Sequence, residues 1–149
     1  MQRSVIACQM MPGVTPLRQA LLPIIVIGEL PDMPYVTISA SQSYSAEQKH
    51  QLIASASDAV VSSLQAPVEN VRVLLNEYPT ERYLVAGQSG APMVMYLVEL
   101  IEGRDDTKKA TLTNTLKRAA VQATGIDIGE VKVRFLDFRP EDMGRFPLE

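Results

Sequence analysis

Laid over itself without gaps, the sequence repeats at a fixed offset. Lys49 aligns with Lys109, Leu52 with Leu112, Ala59 with Ala119, Val71 with Val131 and Val73 with Val133, each pair sixty positions apart. A repeat of this length is one supersecondary unit, and such a unit buries its apolar face only against a neighbour. In both copies a strand-like run (residues 35–40 and 95–100) leads through a polar turn into a helical pattern, then into a second β-branched run (71–75 and 131–136). That is β-α-β written twice. Ser45, with Gln48 three positions on, is a capping-box start for the first helix, and Leu52, Ala56, Ala59, Val60 and Leu64 share one face. The second helix is predicted from Asp105 or Asp106, with Leu112, Leu116, Ala119, Ala120 and Ala123 inward and Gly125 as its stop. Strands joined by a crossover helix run parallel and right-handed. The expected fold class is therefore α/β (α+β): a four-stranded sheet with two helices on one face. Two helices cannot cover both faces, so the bare face calls for an oligomeric partner.

Ahead of the repeat the pattern is different. Residues 1–32 carry Pro12, Pro16, Pro23 and Pro31 with no sustained periodicity, and their one apolar run, 21–28, is far short of the ~20 residues that cross a bilayer. Gly28-Glu29-Leu30-Pro31 supplies no small-x-small cleavage site, which disfavours a secretory signal. The expected division is an extension at 1–33, accessory or upstream of a natural start at Met33, then one domain at 34–149 made of units 34–90 and 91–149.

Composition narrows the partners. A net charge of -3 disfavours a nucleic-acid surface. The single cysteine, Cys8, and single histidine, His50, leave no internal disulfide and no Cys/His zinc site. His50 lies among Gln48, Lys49 and Gln51 and reads as a surface residue. Gly-x-Ser-x-Gly and Gly-Lys-Ser/Thr motifs are absent. The expectation is a cytoplasmic, metal-free and cofactor-free protein, without a membrane or nucleic-acid partner, that handles a small molecule.

Its chemistry-bearing residues are cations on or beside strands: Arg72, Lys132 at the equivalent place, Arg134 two residues on, and Arg104 in the turn before the second helix. Lys132 and Arg134 share a strand face. A guanidinium there grips a carboxylate with two prongs. The structural alternative is an exposed strand cation, or one paired with Glu77 or Asp137, themselves sixty apart.

Pro34-Tyr35-Val36, Ser45-Ala46-Glu47-Gln48-Lys49, Ala66-Pro67, Asn70-Val71-Arg72-Val73 and Asn76-Glu77 together resemble the 4-oxalocrotonate tautomerase family. The second half, from Leu100-Ile101-Glu102-Gly103-Arg104 through Lys108-Lys109 and Thr124-Gly125 to Asp137 and Met143, resembles the same unit in fused members related to cis-3-chloroacrylic acid dehalogenase. The resemblance implies a homotrimer, and an amino-terminal proline as general acid/base at Pro34. It also implies a small carboxylic-acid substrate held by Arg72 and by Arg104 from the second unit. Tyr83 matches the family's aromatic pocket wall, and Lys132 and Arg134 join it as substrate-binding residues. The implied activity is a tautomerase, or isomerase, moving a proton in a small 2-oxo or 2-hydroxydienoate acid.

Departures qualify the resemblance. Tyr44 replaces the first turn arginine, Val94 replaces the second proline, and Lys132 replaces the second strand arginine. One catalytic amine per chain is expected. No histidine lies near Val60 and Val61, which disfavours dehalogenation, while Asp137 and Glu141 keep a hydratase or decarboxylase of acrylate-like acids open. Met33 is decisive: while it acylates Pro34, that nitrogen is a tertiary amide with no basicity. A retained extension would leave a non-catalytic assembly or ligand-binding module.

Overall fold

The computed structural model describes residues 33–41 and 43–144. Strand β1 (Tyr35–Ser41) is followed by α1 (Ala46–Leu64), β2 (Arg72–Tyr78), the short β3 (Leu84–Val85) and β4 (Gln88–Ser89), then β5 (Val94–Ile101), α2 (Asp106–Thr124) and β6 (Val131–Phe138). The main sheet is four-stranded in the order β2-β1-β5-β6, with β1 parallel to β2, β5 parallel to β6, and the central pair β1 and β5 antiparallel. The architecture is α+β and agrees with the fold read from the repeat.

The central register explains how the repeats meet. Tyr35 pairs with Glu99 and Met95 with Ser39, two pairs that the sixty-residue repeat exchanges, and Thr37 pairs with its own repeat mate Leu97. A pseudo-twofold axis therefore passes between Thr37 and Leu97, and the two units are related by rotation about it.

Strand alternation sets the two faces. Val36, Ile38 and Ala40 on β1, and Val94, Tyr96, Val98 and Leu100 on β5, are fully buried; with Leu52, Ala56, Val60, Leu64, Leu112, Leu116 and Ala120 they make one core under both helices. At roughly 1.5–3 kcal/mol for each large apolar side chain, this layer is the main source of stability. Ala119, predicted inward, is only half-buried, because Leu116, Ala120 and Ala123 already fill the face of α2. The Tyr96 hydroxyl is buried without a hydrogen-bond partner among the described residues, and burial pushes the phenol well above its ordinary range.

Local devices recur in both units. Ser45 Oγ accepts from Gln48 N at 3.2 Å while Gln48 Oε1 accepts from Ser45 N at 2.9 Å, and the Asp105 carboxylate accepts from Lys108 N at 2.7 Å. Both helices end on a left-handed residue, Gln65 at φ 54° and Gly125 at φ 74°. Glu77 and Asp137 bond to helix lysines rather than to the strand cations. The pairs are Lys49 Nζ to Glu77 Oε1 and Lys109 Nζ to Asp137 Oδ2, both at 2.6 Å. The reason is facing: Glu77 and Asp137 lie on the helix side of their strands, Arg72, Lys132 and Arg134 on the other.

The hairpin of β3 and β4 is an addition to the sequence-based expectation. Ala86 and Gly87 form its turn at φ 51° and 78°, positive values that match the right-handed twist of a two-residue hairpin, and the Ser89 hydroxyl donates to the Thr80 carbonyl.

Candidate active site

Pro34 immediately precedes β1 and is buried; its carbonyl accepts a hydrogen bond from Arg72 N at 3.1 Å. One residue on, Tyr35 pairs with Arg72 on one side and Glu99 on the other, and Glu99 pairs with Leu136. This row crosses the helix-free face beside Pro34. Arg72 is exposed, with Nη1 donating to the Glu69 and Val71 carbonyls at 2.7 and 3.1 Å, which ties the guanidinium to the turn before β2.

Arg104 reaches the same end from the second unit. Because β5 runs antiparallel to β1, the chain leaves β5 at Ile101 beside the start of β1. Arg104 follows three residues later, half-buried, and its Nη1 donates to the Leu64 carbonyl at 3.2 Å. A cation on the last turn of α1 is also favoured by the helix dipole. Pro34, Arg72 and Arg104, three segments far apart in sequence, thus share one end of the sheet.

Within one chain Tyr83 and Lys132 do not join them. Ala40 pairs with Val94, so Val94 lies at the far end of β1, about 20 Å from Pro34 at ~3.3 Å per strand residue. A cleft of about 490 Å³ opens at that far end, lined by Tyr78, Arg82, Tyr83, Met93, Met95 and Lys132 among others. Tyr83 stands in it with its hydroxyl donating to the Ala91 carbonyl at 2.7 Å. Arg134 occupies neither end: it pairs with Leu97 in the middle of the open face, beside exposed Leu136 and in the row of exposed Leu74. Tyr44, the repeat mate of Arg104, keeps a buried hydroxyl with no hydrogen-bond partner among the described residues.

Glu99 and Leu136 at the Pro34 end, and Tyr78, Arg82 and Met93 in the cleft, were not singled out from sequence. Strand alternation identifies the side on which Tyr78 and Glu99 project, but not which strands adjoin them. His50 is exposed on α1. Cys8 lies outside the described residues. Among the described residues no three His, Cys, Asp or Glu side chains gather where a metal ion would sit, and no helix is long and apolar enough to cross a membrane.

Fold and site define a small α+β protein built from two β-α-β units, with cations gathered at the ends of one sheet. Residues 34–91 match the profile of the family described as tautomerase enzyme. The 2-hydroxymuconate tautomerase of Pseudomonas sp. strain CF600 is 38% identical over 56 residues, which are 38% of this chain and 89% of that protein. The crystal structure of Pt0534 inactivated by 2-oxo-3-pentynoate superposes with a TM-score of 0.70 at 43% identity, over 74% of this chain and 99% of the other. A wild-type fused 4-OT solved as a symmetric trimer gives 0.67 at 35% identity, over 70% and 85%. The chain belongs to the tautomerase family and is an enzyme of the isomerase, tautomerase type.

Proposed function

We propose that the enzyme moves a proton within a small 2-oxo or 2-hydroxydienoate acid, with Pro34 as general acid/base and with Arg72 and Arg104 binding the carboxylate and the developing oxyanion. The observation that carries this reading is the placement of Pro34, Arg72 and Arg104 at the same end of the sheet. A secondary amine beside two cations and out of water has its ammonium form disfavoured, so it is free to act as a base near neutral pH. It takes the proton from the substrate's 2-hydroxyl group, and the electron pair moves through the diene as the oxygen becomes a carbonyl. The ammonium then returns that proton to carbon. A guanidinium near the oxygen favours the dienolate over the neutral enol, which lowers the barrier.

The reading requires a Pro34 amine that Met33 does not acylate, so the working enzyme is residues 34–149, in two units divided near residue 90. It works as a cytoplasmic homotrimer. The trimeric fused 4-OT and the exposed Leu74 and Leu136 on the open face of the sheet support the assembly. Intact mass and ketonisation of phenylenolpyruvate, read on the native protein, test both parts. A chain beginning at Pro34 that turns the enol over supports the reading. One that retains Met33 and has no turnover replaces it with a non-catalytic binding module.

A further inference from the structure

The cleft at the Val94 end is not used by the Pro34 chemistry, yet it has the makings of a site. We infer that it binds a small carboxylic acid with an aromatic or apolar body, and binds it without turnover. Two cations, Lys132 and Arg82, line the cleft, and no acidic side chain lines it with them. Lys132 Nζ donates one hydrogen bond, to the Gly129 carbonyl at 2.6 Å, which leaves two ammonium hydrogens for an anion. The Arg82 side chain has no hydrogen bond or ion pair among the described residues. An anion is the complement of this uncompensated pair.

The remaining walls select the body of the ligand. Tyr78 and Tyr83 present rings, and Met93 and Met95 present polarisable thioethers that pack well against an aromatic ligand. The bond from Tyr83 to Ala91 holds that ring in place before anything binds. A volume of about 490 Å³ lies within the range of small-molecule pockets. What the cleft lacks is the proline: the repeat mate of Pro34 is Val94, an apolar residue with no exposure at all. The rotated copy of the Pro34 end therefore has cations and apolar walls, but no proline nitrogen. The inference does not depend on what Pro34 does.

The test uses the protein labelled with carbon-13 at its methionine methyls and titrated with 3-phenylpropanoate, an acid with no enol to convert. The methyls of Met93 and Met95 report on the cleft. Met143 follows β6 in a turn at the Pro34 end and reports on that end. The expected result is a saturable shift of the Met93 and Met95 resonances that depends on Lys132, whatever Met143 does as the acid also fills the Pro34 end. Lys132→Met should weaken binding about tenfold while Lys132→Arg retains it. Arg82→Gln, which lies outside the main sheet, gives the same test if the strand variant folds poorly. Shifts confined to Met143, no shift at millimolar acid, or equal binding of neutral 3-phenylpropanamide would each overturn the inference.

Discussion

The Pro34 end and the Val94 end are built on the same scaffold and have different contents. Each helix has a polar cap at its start and a left-handed residue at its end, each is tied to its closing strand by a lysine–carboxylate pair, and each closing strand has, within its first two residues, a cation bonded to a carbonyl three residues back. At one end stand Pro34, Arg72 and Arg104, and in the corresponding places at the other stand Val94, Lys132 and Tyr44. The shared parts are caps, helix stops and ion pairs of the frame; the parts that differ change the charge and chemistry of each end while still packing or bonding to the same frame, Val94 in the core and Lys132 to the Gly129 carbonyl. The difference teaches that site residues in a duplicated fold diverge without disturbing the frame.

The sharpest way to break this comparison is at the two proline positions. Pro34→Ala, in a chain beginning at residue 34, should lower kcat/KM for phenylenolpyruvate ketonisation by about 10²- to 10⁴-fold. Val94→Ala should leave kcat/KM unchanged, and a large loss there would place chemistry at both ends. Second in size are Leu52→Ala and Leu112→Ala, both fully buried repeat mates. Each should cost about 2–5 kcal/mol in urea unfolding, and a wide gap between them would show that the cores are not equivalent.

Tyr96 gives the next contrast, since its repeat mate is the hydroxyl-free Val36. Its folded pKa is raised by burial, so its contribution is fully present below the ordinary phenol value and is lost as pH rises toward the folded one. Between pH 10 and 11 the native state should lose up to about 1.4 kcal/mol that Tyr96→Phe does not lose. Unfolding midpoints that fall equally in both proteins would remove Tyr96 as the cause. The helix ends come after this. Gly125→Ala should destabilise by about 1 kcal/mol and Gln65→Gly should stabilise by a comparable or smaller amount, since only glycine adopts a positive φ without strain. The smallest effects belong to the half-exposed ion pairs, where Lys49→Met and Lys109→Met should each cost less than about 1 kcal/mol. Lys109 should cost the more of the two, because its ammonium also lies 5.8 Å from the centre of the Phe135 ring.

Most of the frame was legible in the sequence because its signals are local. Ser45 with Gln48 marks a helix start, Gly125 marks a stop, and the spacing from Leu52 to Leu64 marks a buried face. The hairpin was not legible, because Ala86-Gly87 is a weak version of the Asn-Gly signal that positive φ angles usually leave. The candidate site was legible in its residue types and less so in its grouping within one chain. Pro34, Arg72 and Arg104 were named from the resemblance together with Tyr83 and Lys132, which within one chain stand at the opposite end. What decides that grouping is the antiparallel pairing of β1 with β5, a contact between segments sixty residues apart that neither segment encodes alone.

The axis between Thr37 and Leu97 has one further consequence. Were the two units separate copies of one chain, a side chain on that axis would face its own image, and every substitution anywhere would appear in both halves at once. With the halves covalently joined, a threonine faces a leucine across the axis, and each position is free to vary by itself. The backbone design is unchanged, but the number of independent sequence choices it offers is doubled.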